Sequence, residues 1–220
     1  MISDGDRIAV GLSGGKDSLF LMWSLAERLA RIPIRYELIA FHIDPGFEGS
    51  FSEPLAAYGY EKGYRLEVVH TDYGVVAHSE QNLENPCFLC SMLRRKRLFE
   101  LATESNCNKL ALGHNKDDII ETLFMNICYA GEISTMVPVQ PFFDGEITVI
   151  RPLAFADGND IRRFTREQGF PDFINPCPSA TVSKRREIKT LLNQLYQQNR
   201  KIKGNIFRAM SHVKLDYLLR

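Results

Sequence analysis

Apolar and polar positions follow two rhythms along the first 155 residues. Short apolar runs at 7–12, 36–43, 64–70, 109–112 and 147–150 have the length and character of buried strands. Between them, 16–30, 53–62, 93–105 and 117–129 carry apolar residues at helical spacing. The last places Ile119, Ile120, Leu123, Phe124 and Ile127 on one face. Strands alternating with helices predict an α/β fold: a parallel five-stranded, doubly wound sheet covered on both faces. Ligands of such folds enter the crevice at the carboxyl ends of the strands.

After Arg151-Pro152-Leu153 the rhythm changes. Segments 160–168, 184–197 and 206–218 read as basic, mostly helical pieces, with a Pro-rich, constrained loop from 169 to 178 between the first two. The expected organisation is a sheet domain over 1–155 and a basic helical region over 156–220. With 45% hydrophobic and 25% charged residues in 220, the chain is an ordinary globular one, which excludes collagenous, fibrous and disordered classes. The longest apolar stretch, 19–26, is broken by Ser24 and falls far short of the roughly 20 residues that span a bilayer, so no membrane partner is expected. The acidic start, Met1-Ile2-Ser3-Asp4-Gly5-Asp6-Arg7, lacks the pattern of a secretory signal, and the expected location is cytoplasmic.

Net charge is zero but unevenly spread. Residues 161–220 hold thirteen Lys and Arg against four Asp and Glu; the preceding 160 hold fourteen against 23. The basic runs at 94–97, 162–163, 184–186 and 200–203 suit phosphate contacts of a polyanion as well as solvated helix faces.

Ser13-Gly14-Gly15-Lys16-Asp17-Ser18 stands between the first strand and the first helix. Two glycines let successive N–H groups point at one spot, two hydroxyls add donors, Lys16 adds charge, and the helix start favours an anion. Asp17 suits a role in ordering the loop or holding Mg²⁺ through oxygen. The stretch is not a Walker A loop, because Asp17 stands where Ser or Thr is required and Val10 where the first glycine is. It resembles the Ser-Gly-Gly-x-Asp-Ser signature of PP-loop ATP pyrophosphatases. That resemblance implies an adenine nucleotide alpha hydrolase-like fold over 1–155, and cleavage of ATP between its α and β phosphates. Asp44, just past the second strand, reads equally as a neighbour of the nucleotide and as a turn residue before Pro45-Gly46.

Of five cysteines, Cys107 and Cys128 fall in or beside apolar helical patterns and read as core. Cys87 and Cys90, three apart and just before the basic helix, suit two ligands of one centre. The helix start and Arg94, Arg95 and Lys96 are expected to favour their thiolates. Zinc, iron–sulfur and redox dithiol all fit such a pair. Cys177, in a Pro-Cys-Pro loop, offers a third thiolate. Three thiolates suit a 4Fe-4S cluster with one iron open, whereas structural zinc needs a fourth ligand, for which His70 and His78 are candidates.

Gly113-His114-Asn115-Lys116-Asp117-Asp118 closes the fourth strand. Its carboxylates suit Mg²⁺ and His114 suits phosphate contact or proton transfer, although a helix-capping box has the same pattern. The segment resembles the Gly-His-x-x-Asp-Asp motif of PP-loop tRNA thiolases. With 13–18, Asp44-Pro45-Gly46-Phe47, the Cys pair followed by Leu93-Arg94-Arg95, Arg151-Pro152-Leu153 and Pro176-Cys177, the chain is similar over about residues 3–180 to the tRNA 2-thiocytidine synthetase (TtcA) family. The resemblance implies ATP- and Mg²⁺-dependent thiolation of tRNA cytidine 32, sulfur from a cysteine desulfurase persulfide or sulfide, and a homodimer. It assigns Ser13, Gly14, Gly15, Lys16 and Ser18 to pyrophosphate, with Asp44 and Gly113 beside the nucleotide. Asp17, His114, Asp117 and Asp118 would border the reacting ATP, and Cys87, Cys90 and Cys177 would hold the cluster. Asn115 stands where a second His is frequent, and Pro178-Ser179-Ala180 where many members show another cysteine. Competing readings are a thiolase for another nucleoside or small molecule, a tRNA lysidine synthetase-like ligase, and a zinc-bearing nucleotide-binding module.

Overall fold

A computed structural model describes residues 1–179 and 183–218; residues 180–182, Ala180 of the Pro178-Ser179-Ala180 stretch among them, and 219–220 lie outside the described residues. The sheet is formed by β1 (Arg7–Gly11), β2 (Glu37–Asp44), β3 (Leu66–His70), β4 (Lys109–Ala111), β5 (Val139–Phe142) and β6 (Ile147–Ile150), in the order β3-β2-β1-β4-β6-β5. The five expected strands are all present and mutually parallel. The sixth, β5, joins the edge antiparallel to β6. Its four residues include Pro141, which cannot donate to a ladder and is tolerated at an edge, so the run carried no strand signal.

The helices are α1 (Lys16–Leu29), α2 (Ser52–Glu61), α3 (Tyr73–Ala77), α4 (Pro86–Glu104), α5 (Lys116–Met125), α6 (Gly158–Glu167), α7 (Lys184–Gln198) and α8 (Ile202–Ala209). Alternation along the strands splits the core into two layers. Ile8, Val10 and Ala40 face Leu19, Leu21, Met22, Leu55 and Ile161 from α1, α2 and α6. Ala9, Ile39, Phe41 and Ile43 face Leu101 and Ala102 of α4, and Cys107 is buried there. Trp23 of α1 packs among Phe20, Phe164 of α6 and Phe170 just beyond it. A third cluster, Ile120, Ile188 and Leu192 with Ile206 and Phe207 against it, docks α7 and α8 on α5.

Four expectations change, the first being the piece expected over 206–218, which is α8 over Ile202–Ala209 and a single 3-10 turn over Leu215–Tyr217. Helix α4 begins at Pro86, not 93: Asn85 caps it, accepting from the amides of Cys87 and Phe88, and Pro86 occupies a first-turn position whose amide has no helical partner. Both thiols therefore lie inside the helix. The helix over 117–129 runs as α-helix to Met125 and as a π-turn over Asn126–Ala130, ending at Gly131 with φ 68°. Cys128, on that turn, is exposed and not a core residue. Among the described residues no helix is long and apolar enough to cross a membrane.

Candidate active site

The chain runs outward from β1 through β2 to β3, then returns to place β4 on the other side of β1. A crevice opens where the order reverses, lined by the loops that follow β1 and β4. The first loop is braced from within. Ser18 Oγ donates to Gly15 O at 2.8 Å and accepts from the Ser13 amide at 3.1 Å. Gly15 is the N-cap of α1 and has no side chain to satisfy the first amides, which leaves them for an anion. Gly14 adopts φ 78°, and a Cβ there would lie 2.3 Å from the Phe51 ring. That ring stacks on Phe173 at 5.3 Å, four residues before Cys177, so two phenyl groups join the loop to the segment bearing the third thiol.

A cavity of about 240 Å³ fills the crevice. Gly11, Leu12, Phe41, Ile43, Leu98 and Leu112 give it an apolar slot; Ser13, Gly15, Asp17, Ser18, Gly113, His114 and Arg94 form its polar end. Gly113 lets the second loop close on the first, since a Cβ there would come within 3.0 Å of the Asp17 backbone. His114 Nδ1 is buried without a hydrogen-bond partner, as are Nε of Arg94 and of Arg151. Burial pushes the His114 imidazole down to about 4, with Arg151, Arg185 and Arg95 adding to it, so the ring is neutral at pH 7.

The carboxylates take distinct places. Asn115 caps α5 in a full capping box: it accepts from the amides of Asp117 and Asp118, while Asp118 Oδ2 accepts from the Asn115 amide at 2.9 Å. Its Nδ2 donates to Asp17 Oδ1 at 3.0 Å, which explains an amide at this position. Asp17 also pairs with Lys16. Burial raises the Asp118 pKa, with nearby Asp17 adding to it and the Asn115 amide opposing. Asp117 is engaged by the Gly158 amide at 2.8 Å and Lys203 at 2.7 Å. Asp44 is buried and accepts from Ser50, Ser52 and the Gly46 amide at 2.6, 2.6 and 2.9 Å. Burial alone would raise its pKa; those donors outweigh it and hold it at about 2. Its side chain therefore fastens the loop after β2.

Cys87 and Cys177 both lie near enough to Cys90 for their charges to act on it, and Arg94 stands one turn farther along the same helix. Cys87 is exposed, while Cys90 and Cys177 are half-buried. Burial pushes the Cys90 thiol up, Arg94 opposing; the expected thiolate-favouring field of Arg94, Arg95 and Lys96 reduces to Arg94 alone, because Arg95 and Lys96 are exposed and Lys96 faces Glu100. Among the described residues no three His, Cys, Asp or Glu side chains converge as ligands of one metal ion. His70 is exposed and turned to Asp44; His78 bonds the Gly74 carbonyl through Nδ1 and Ser179 through Nε2, and Ser179 in turn contacts Cys177 Sγ. Both ring nitrogens of His78 and one of His70 are thus already engaged, whereas Cys87, Cys90 and Cys177 offer three thiols, a donor type that suits a thiolate-held cluster.

Sequence reasoning missed Arg94 as part of the cavity wall. With α4 starting at Pro86, Cys87, Cys90 and Arg94 fall at i, i+3 and i+7 and share one face, a spacing visible once the helix start is moved. It also missed Lys203, Asp157 and Gly158, which meet Asp117 from other elements and left no local signal.

A family profile described as a PP-loop domain matches residues 3–195. Two tRNA-cytidine(32) 2-sulfurtransferases, of Geotalea daltonii and Geobacter sulfurreducens, are each 40% identical over the whole of this chain, which covers 88% and 86% of theirs. Among solved structures, the U34-tRNA thiolase NcsA from Methanococcus maripaludis with its 4Fe-4S cluster superposes with a TM-score of 0.79 at 28% identity, over 99% of this chain and 74% of that one.

Proposed function

The chain belongs to the PP-loop domain family and, within it, to the tRNA-cytidine(32) 2-sulfurtransferases, and on that premise we propose that it uses ATP to replace the C2 oxygen of cytidine 32 in tRNA with sulfur. The observation that carries this reading is Arg94, which borders the cavity beside the phosphate loop and stands one turn along α4 from Cys90, so that ATP site and thiols share one wall.

In this reading the apolar slot takes the adenine. The free amides at the start of α1, with Ser13, Gly14, Gly15, Lys16 and Ser18, take the β and γ phosphates, and Gly113 lets the second loop approach. Asp17 and Asp118, close enough to feel each other's charge, would share Mg²⁺. The base oxygen attacks the α phosphorus; an O–P bond forms, the bond to the β phosphate breaks, and pyrophosphate leaves. Sulfide then adds at C2 and AMP departs with the original oxygen. Arg94 and Arg151 supply positive charge toward the phosphate, and neutral His114 offers its unpartnered nitrogen as a hydrogen-bonding group. Cys87, Cys90 and Cys177 would hold a 4Fe-4S cluster, which when bound supplies an iron with an open position for sulfur. The reading extends to sulfide as donor, supplied as such or from a cysteine desulfurase persulfide by the two electrons of an external thiol reductant, a homodimer, and work in the cytoplasm.

Mass spectrometry of tRNA nucleosides from a deletion strain tests it. 2-Thiocytidine is expected to vanish, to return with the wild-type gene, and to stay absent with Cys177→Ala, whose protein still binds ATP. Loss of a thiouridine or of lysidine instead would reassign the substrate, and full thiolation by Cys177→Ala would remove the thiols from the reaction.

A further inference from the structure

Asp117, although it belongs to the motif after β4, has no free oxygen for a ligand. Its Oδ2 accepts from the Gly158 amide at 2.8 Å, and its Oδ1 meets Lys203 Nζ at 2.7 Å. The same ammonium lies 2.7 Å from Asp157 Oδ2. Asp157 is the N-cap of α6, and Lys203 comes from α8, 46 residues beyond, with its side chain 14% exposed. A single cation thus joins the starts of two helices to a third. The junction is tight: a Cβ on Gly158 would fall 2.7 Å from Asp117 Oδ2. A neighbouring backbone bond, Lys116 N–H to Ala156 O at 3.0 Å, runs the same way.

What the junction holds is the reacting end of the cavity. Asn115 and Asp118 bracket Asp117, Asn115 donates to Asp17 of the first loop, and His114 precedes them. Moving the start of α5 by a fraction of an ångström moves His114, Asp118 and, through Asn115, Asp17 together. The cost of a small misplacement of reacting groups is large. Without the ammonium, the carboxylates of Asp117, which reaches the start of α6, and of Asp157, which caps α6, would face each other uncompensated, and the two helix starts would separate.

We infer that Lys203 is a positioning residue of the ATP-dependent step: by bridging Asp117 and Asp157 it sets the loop after β4 against the loop after β1, and makes the ATP site complete only when α8 is docked. Asp117 is then a structural anchor of the start of α5. This inference rests on the proposed use of ATP.

The test is calorimetric titration of the intact protein with ATP and Mg²⁺, comparing wild type, Lys203→Met and Lys203→Arg, with thermal melts of each. Lys203→Met is expected to weaken ATP binding about tenfold or more, and Lys203→Arg, which keeps a cation with several donors, to recover most of it. A merely structural lysine would lower the melting temperature and the fraction of binding-competent protein without changing the dissociation constant of that fraction. Equal affinity in wild type and Lys203→Met overturns the inference and leaves the proposed function standing; absence of ATP binding by wild type overturns both. Should Lys203→Met fold poorly, Asp157→Asn, which removes one arm of the bridge and the opposing charge, replaces it. It is expected to weaken ATP binding by a smaller factor, and unaltered affinity there would equally overturn the inference.

Discussion

His114 illustrates what burial does to one side chain. Its pKa falls from an ordinary value near 6.5 to about 4 because the ring is desolvated in a field of guanidinium groups. Between those two values the unfolded chain binds a proton that the folded protein refuses, so the folded state loses stability as pH drops from about 6.5 toward 4 and has its full value above that window. His114→Gln is expected to flatten the pH dependence of urea stability in this window, with little change at pH 8; an unaltered slope would mean that another group governs it. Asp44 shows the opposite arrangement. Three donors hold it at about 2, so its contribution is full above about pH 5 and is lost progressively as pH falls through 3.8 toward 2.

At the scale of elements, the loop between β1 and α1 is the most constrained. Gly14→Ala is expected to abolish ATP binding, because the new Cβ meets both a positive φ and the Phe51 ring. Adding Phe51→Leu relieves only the contact and should restore folding more than binding, which melts and ATP titrations separate. Much of this level was legible in the sequence. The five parallel strands follow from apolar run length, and both loops lie where strand gives way to helix. What was not legible has physical causes. A four-residue edge strand with a proline pairs through the partner's backbone, not through its own pattern. The start of α4 was hidden because Pro86 and two cysteines resemble a metal-binding loop as much as a capped helix turn. Cys128 falls on a helical pattern but on a π-turn, which shifts it from the core face. The cysteines, the phosphate loop and His114 were legible by residue type. Arg94 needed the corrected helix, and Lys203 needed the tertiary packing of α8 on α5.

Across the whole molecule, the charge asymmetry divides into two uses. Part of the basic surplus is turned inward, where Arg185, Lys189 and Lys203 meet Asp118, Glu121 and Asp117 and fasten the last helices to α5. The rest, including Arg200, Lys201 and Arg208, is exposed and available to a phosphate backbone. Lys201→Glu with Arg208→Glu is expected to weaken tRNA binding and to reduce the slope of log affinity against log salt by about 2, leaving ATP affinity unchanged. Filter-binding titrations over a range of salt measure this, and an unchanged slope would assign these cations to solvent. The sequence revealed the surplus but not its division, since an inward and an outward lysine look alike in composition. The chain's single indole, Trp23, sits in the aromatic cluster between α1 and α6, beside Phe170 at the head of the segment leading to Cys177. It lies two turns along the helix from the phosphate loop and is ringed by side chains from the elements that must stay in register with it. The protein therefore carries its own unlabelled fluorophore at that seam, and its emission follows the packing there without an introduced dye.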